Sequence, residues 1–392
     1  MKRILALLLV VLLCGAVLSA CDDGGNVTLT VWCAEMDKEM ITGMVDAFMA
    51  TKPGIKGVDV VVVEDDKARE KFEDAPDAAA DVICLPHDQL GALVDQKALL
   101  EISDSKYLNA IGGNSVPSVA AGRIGGKQYG FPSSFETHML FYDKSLISDV
   151  VAQTLEGIIE SAMPEGASPF AMDFGDAYFS SNWFFTYGCR LFGESGRDPA
   201  FCDFDSPEGI AAMTNLIDNR ERFVSCGGDD AAALFGEHKL GTYIGGPWHA
   251  AAMTQALGGN YGCGMLPSIE GKPMQSFAGF KLYCVNANTK NKAVAMDLAA
   301  WLTNPVNQKT RFQIRNLIPV ATSLADDVDV AVSTTAKAVM AQGPHAIAMP
   351  SIPQMSNFWK PTGEFTQACY EGEIEIPDLP EKLKELVAII IG

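Results

Sequence analysis

The chain has no C-x-x-C pair, and its cysteines and histidines nowhere form the two paired ligand sets of a structural zinc site, which argues against such a site on spacing alone. It also lacks a nucleophile elbow, an H-E-x-x-H segment and a catalytic-triad pattern, so the common hydrolase signatures are missing. Positive charge is scarce: 29 Lys and Arg stand against 49 Asp and Glu, for a formal charge of -20. That balance excludes a nucleic-acid partner, whose binding needs clustered cations. Past the first twenty residues no apolar run is long enough to span a bilayer, and Ile389-Ile390-Ile391 is far too short. There is no internal repeat, low-complexity tract or long charged linker, and no motif calls for a cofactor. The five histidines, His87, His138, His238, His249 and His345, are scattered and read as satisfied or exposed side chains.

What is there begins at the amino terminus. Lys2 and Arg3 precede an uninterrupted apolar run from Ile4 to Leu13, and Leu18-Ser19-Ala20-Cys21 closes the segment with small residues and a cysteine. The pattern resembles the lipobox of bacterial lipoproteins, and implies export, lipid attachment at Cys21 and cleavage before it. Each buried methylene contributes about 0.8 kcal/mol, and one acyl chain holds only marginally, so several chains on Cys21 make a lasting tether to the cell membrane. Residues 1–20 are then a signal peptide and 21–26 a polar leash. Cleavage removes Lys2 and Arg3 but no acid, taking the formal charge from -20 to -22. Eight cysteines remain beyond Cys14 and Cys21; Cys33, Cys84 and Cys284 fall in strand-like runs as small apolar residues. Export permits a bridge among Cys189, Cys202 and Cys226, with connectivity left open.

The remaining 372 residues suffice for two compact domains. Val27 to Val31 alternates apolar and polar; Met40, Ile41, Met44, Val45 and Phe48 recur at helical spacing; Val58 to Val63 and Asp81 to Leu85 are further strand-like runs. The opening therefore predicts a largely parallel sheet covered by helices. A second α/β pattern follows. Ser206-Pro207 starts a helix with Ile210, Met213, Leu216 and Ile217 inside, and Lys239 to Ile244 is a strand ending at Gly245-Gly246-Pro247. Phe280 to Val285 is strand-like, Ala293 to Leu302 helical, and Leu383, Leu386, Val387 and Ile390 form the stripe of a docked terminal helix.

Aromatics and acids gather near these junctions. Trp248 follows a strand end, Trp359 lies in the Pro-punctuated segment from Ile352 to Lys360, and Tyr178 is close to Asp176. Asp88 follows the strand ending at Leu85, and Glu136 follows Gly130 to Phe135. An aromatic face covers the apolar CH surface of a pyranose and a carboxylate accepts two hydroxyl hydrogen bonds, so rings plus acids suit a sugar site if the fold unites them. Trp183 and Trp301, inside helical stripes, read as core.

These residues resemble the maltose and maltodextrin-binding proteins among the extracellular solute-binding proteins of ABC importers. The similarity runs through nearly all of the mature chain. It is carried by Asp81 to Asp88, Gly126 to Ile147 with Phe131-Pro132, Glu136 and Tyr142-Asp143-Lys144, Ile244 to Trp248, and Met349 to Trp359 with Ile352-Pro353-Gln354-Met355-Ser356. The resemblance implies a periplasmic-binding-protein-like α/β fold of two lobes joined by a multi-segment hinge, with a ligand cleft between them. Residues 27–133 and 281–330 are expected in the first lobe, 134–280 and 331–392 in the second. The expected ligand contacts are Asp37, Lys38, Asp88, Gln89, Glu136 and Asp176, with Tyr178, Trp248 and Trp359 stacking on rings. Three positions depart from the family: Leu85 where tryptophan is frequent, Gln89 where arginine is common, and Gly363 in place of another arginine. The expected activity is capture of a maltodextrin-type oligosaccharide by a monomer that hands it to an ABC permease, without catalysis. Another oligosaccharide, a glycoside hydrolase using Glu136 with Asp88 or Asp176, and an adhesin with a vestigial cleft are the alternatives.

Overall fold

The computed structural model describes residues 27–392; Cys21 and the expected signal and leash lie outside them. Two sheets organise the chain. The first runs, in order, Ile318–Pro319, Gly130–Thr137, Ser276–Val285, Val82–Pro86, Val27–Cys33 and Ile55–Val62, with Ala346–Ala348 pairing onto Ser276–Val285. The strands beginning at Val27, Ile55 and Val82 pair in parallel, as their apolar runs predict. Gly130–Thr137 and Ser276–Val285 pair antiparallel with each other and with Ile318–Pro319 and Val82–Pro86, while Ala346–Ala348 runs parallel to Ser276–Val285, so the sheet is mixed.

Side chains alternate across this sheet. Leu29, Val31, Cys33, Val82, Cys84, Tyr283 and Val285 fill one buried layer, and Trp32, Ile83, Leu85, Leu282 and Cys284 the other. A two-residue period with both faces apolar is what a helix-covered sheet requires. On one side the Lys38–Ala50 and Lys292–Leu302 helices bring Met40, Ile41, Met44, Phe48 and Leu298 to the core.

The second sheet orders Tyr261–Gly264, Met139–Asp143, Leu240–Gly245, Ser168–Met172 and Phe223–Ser225. Its last three strands are parallel. The Pro207–Asn219 helix on its flank starts as predicted, Ser206 accepting from the Gly209 amide, and a Cβ on Gly209 would meet the Phe204 carbonyl at 1.9 Å. The terminal helix, Leu379–Ile391, buries Leu383, Leu386, Val387 and Ile390 in the same lobe. Trp183 is fully buried there. Trp301 packs on the first core and donates its indole N–H to the Met44 carbonyl.

The chain passes between the sheets at Thr137-His138-Met139 and again between Gly264 and Ser276; after Ala346–Ala348, its last strand of the first sheet, Met349, Met355, Phe358 and the terminal helix join the core of the second lobe. Compared with the expected changes at 133/134, 280/281 and 330/331, Gly130–Thr137 and Ser276–Val285 lie wholly in the first sheet. The cysteines at 33, 84, 189, 202, 226, 263, 284 and 369 are free thiols. Among the described residues, no helix is long and apolar enough to cross a membrane.

Candidate functional site

Parallel strands present their carboxyl ends on one edge, where ligands of α/β folds collect. In the first lobe that edge carries Asp37 after Val27–Cys33, Asp65 after Ile55–Val62 and Asp88 after Val82–Pro86, all buried. In the second it carries Asp176 after Ser168–Met172 and Trp248 after Leu240–Gly245. The two edges face one another.

Glu136 is buried on the first-lobe strand opposite Gly279, where a Cβ would meet the Glu136 side chain at 2.8 Å; the glycine makes room for the carboxylate. Lys281 lies two residues on, its Nζ 3.0 Å from Asp65 and 3.8 Å from Glu136. Burial raises the Glu136 carboxyl above its ordinary range, against the pull of Lys281. Burial also pushes Asp88 up to about 7, opposed by its own amide, by Lys281 and Arg69, and by the nearby polar edge of Trp359. Trp359 opens the Trp359–Glu371 helix, which packs on the second lobe, so this contact spans the cleft.

Asp176 caps the Ala177–Ser180 turn of helix, accepting from the Tyr178 amide at 2.8 Å, and burial lifts its pKa to about 6. Tyr178 is the centre of the aromatic group: its ring centroid is 6.2 Å from Trp248, 6.5 Å from Trp359 and 4.3 Å from His138. The Trp248 indole folds over Gly246, where a Cβ would meet it at 2.2 Å, and donates to His249 Nε2 at 3.1 Å. Burial holds His249 near 4, in the neutral form that can accept this bond. Asp65 Oδ1, Asp88 Oδ1, Ser134 Oγ and the Tyr178 hydroxyl are buried without a hydrogen-bond partner among the described residues. Such atoms are costly in a dry interior and suit a polar ligand.

The predicted residues thus fall into two groups. Asp88, Glu136, Asp176, Tyr178, Trp248 and Trp359 are brought together by their rings, the Asp88–Trp359 contact and the fields of Glu136, Asp176 and Asp88 on the Tyr178 phenol. The other three are placed differently. Arg315 donates to Asp37 at 2.7 Å, Lys38 is exposed at its helix start, and Gln89 has its whole amide engaged with the turn that carries Asp65. Its Nε2 donates to the Asp65 and Asp66 carbonyls, its Oε1 accepts from the Arg69 amide, and its role is therefore to position that turn.

Leu85 and Gly363 have equally concrete settings. Leu85 is fully buried beside Trp32 and Leu90, on the helix-covered face of the sheet. A Cβ on Gly363 would meet the Gly175 carbonyl at 2.1 Å, so no larger side chain fits without moving the turn before Asp176. Sequence reasoning missed Asp65, Lys281, Ser134 and His138. Of the histidines expected to be satisfied or exposed, those at 87, 138 and 249 take the first form: His87 receives the Phe280 amide, His249 accepts from the Trp248 indole, and His138 is held by Asn182 at 3.0 Å with Nε2 unpartnered. A lone lysine inside an apolar strand was the one available signal.

Residues 43–342 match the bacterial extracellular solute-binding protein family. The chain belongs to that family. This family member is 31% identical to a galactooligosaccharide-binding protein of Bacillus subtilis over 91% of its own length and 88% of that protein. It is 27% identical to a maltodextrin-binding protein of the same organism, over 88% and 86% of the two chains. Its fold superposes on the maltotriose-binding protein of Thermus thermophilus, bound with maltotriose, with a TM-score of 0.81 at 25% identity, covering 93% of this chain and 99% of that one. The two-lobed α/β architecture is the one these solute-binding proteins share. These relatives are binding proteins rather than enzymes.

Proposed function

We propose that the protein captures an oligosaccharide between its lobes and delivers it to an ABC permease, tethered outside the cell membrane by lipid on Cys21 and acting as a monomer. The single observation that carries this reading is the Tyr178, Trp248 and Trp359 group set against Asp88, Glu136 and Asp176. Stacked rings cover the CH faces of pyranoses, and buried acids take their hydroxyls. Each hydrogen bond to a charged acceptor contributes about 1.5–3 kcal/mol, so four or five of them, with stacking, offset ordering costs and leave the roughly -8 kcal/mol of micromolar binding. Asp37, held by Arg315, and the exposed Lys38 supply the rim of the site in this reading.

Two cargos have support. The maltodextrin reading rests on the sequence motifs and on relatives and folds of that kind. A galactooligosaccharide is favoured by the 31% identical relative, and by Leu85, which is buried where maltodextrin proteins often carry a tryptophan platform. Calorimetric titration with maltotriose and with a galactotriose separates them. Heat with one alone names the cargo class; no heat and no melting shift with either ends the oligosaccharide proposal. Release of shorter sugars on long incubation would instead revive the hydrolase alternative.

A further inference from the structure

We infer that Lys281 is a ligand-contacting residue of this cleft and that, with Asp65 and Glu136, it restricts the site to neutral polyhydroxyl ligands. The inference rests on the oligosaccharide reading and narrows it.

Lys281 is the charged member of the otherwise apolar run Phe280 to Val285, opposite Ser134 on one neighbouring strand and Pro86 on the other. Its side chain is only 19% exposed, between Asp65 at 10% and Glu136 at 7%. An ammonium has three N–H donors. Asp65 takes one at 3.0 Å, whereas Glu136 at 3.8 Å is beyond direct hydrogen-bond range. A purely structural ion pair would close on both carboxylates. This one leaves lysine donors uncommitted beside the unpartnered Asp65 Oδ1, Asp88 Oδ1, Ser134 Oγ and Tyr178 hydroxyl. The Tyr178 phenol, on the other lobe, feels both Glu136 and Lys281, so these groups share one space.

Open donors interleaved with open acceptors select ligand chemistry. A sugar hydroxyl donates and accepts at once, so adjacent hydroxyls satisfy the lysine and a carboxylate together. A polyamine or an amino sugar brings N–H donors and leaves the Lys281 donors facing a like charge. The carboxylate of a uronate brings acceptors and a negative charge only, and meets Asp65, Glu136, Asp88 and Asp176. Both charged classes are therefore rejected, and the neutral oligosaccharide is retained.

Calorimetry on the protein and two variants tests this, with maltotriose, galactotriose, trigalacturonate and a glucosamine trimer as probes. Lys281→Met removes the donor; Asp65→Asn combined with Lys281→Met removes the donor without stranding the Asp65 charge, and serves if the single variant unfolds. The expected result is that the unmodified protein binds a neutral trimer and neither charged one, and that both variants weaken that trimer by about tenfold or more while circular dichroism shows them folded. Neutral-trimer affinity within about twofold of the original in a folded variant would overturn the role of Lys281 alone, as would equal binding of trigalacturonate or the glucosamine trimer. Absence of binding to both neutral trimers would overturn the oligosaccharide reading and this inference with it.

Discussion

At the scale of single residues, the cleft acids couple stability to pH. Asp88 lies near 7 and Asp176 near 6, both lifted chiefly by burial from an ordinary 3.8. Between the unfolded and folded values such a carboxyl binds more protons in the folded state than in the unfolded one, so stability falls as pH rises through that window and the full cost is reached above the folded pKa. For each group the slope is at most about 1.4 kcal/mol per pH unit. Asp88→Asn removes the Asp88 share. Urea unfolding at pH 5 to 7.5 should show the variant gaining on the original protein as pH increases; a gap that stays constant across that range would refute the account. A complementary change, Trp248→Ala or Trp359→Ala, should weaken ligand by at least about 1 kcal/mol while leaving the melting curve of the free protein little altered, because both rings are only partly buried. Asp88 and Trp248 stood out in sequence because they follow strand ends, and Trp359 because it follows a Pro-punctuated stretch, whereas Glu136 lies within its strand and was marked only by its motif. Asp65 and Lys281 did not stand out, since their significance is a pairing between distant segments and each alone reads as surface charge or a snorkelling lysine.

At the scale of elements, one glycine decides how the second lobe presents its acid. The Trp359–Glu371 helix approaches the turn around Gly175 so closely that Gly363→Ala places a methyl carbon 2.1 Å from a carbonyl oxygen. Overpacking of this kind costs about 1–3 kcal/mol, and the relief available is to push the helix away from Asp176 and Tyr178. Gly363→Ala should therefore lower the urea midpoint and weaken ligand several-fold together, as roughly 1 kcal/mol of lost positioning implies; unchanged stability would show that the helix moves freely. The helices and strands themselves were readable, since their apolar residues recur at the periods these elements impose: Met40 to Phe48 at helical spacing, Val27 to Val31 in alternation. The passages between lobes were less so. Nothing in the spacing of Thr137, His138 and Met139 separates a strand that continues from one that changes sheet, and Ser276–Val285 reads as any buried strand although its first residues already pair with the first sheet.

At the scale of the whole molecule, the contacts that define the cleft are also contacts between lobes. Trp359 reaches Asp88, and Ser351 accepts from the Gly91 amide at 3.2 Å while donating to the His87 carbonyl at 2.8 Å. The segment that carries Trp359 is thereby fastened to the turn that carries Asp88. A ligand touching both lobes stabilises the closed arrangement over an open one, and moving a population from 1:99 to 99:1 takes a differential affinity of about 5.5 kcal/mol. Small-angle scattering should show the radius of gyration falling when the cognate oligosaccharide is added. The Ser351→Ala variant should start from a larger radius and still contract at saturating ligand, because the change removes a fastening without touching the rings or acids of the site. If the radius of gyration is identical with and without ligand in both proteins, lobe closure does not accompany binding, and the cross-lobe contacts of Trp359 and Ser351 are fixed features of the fold.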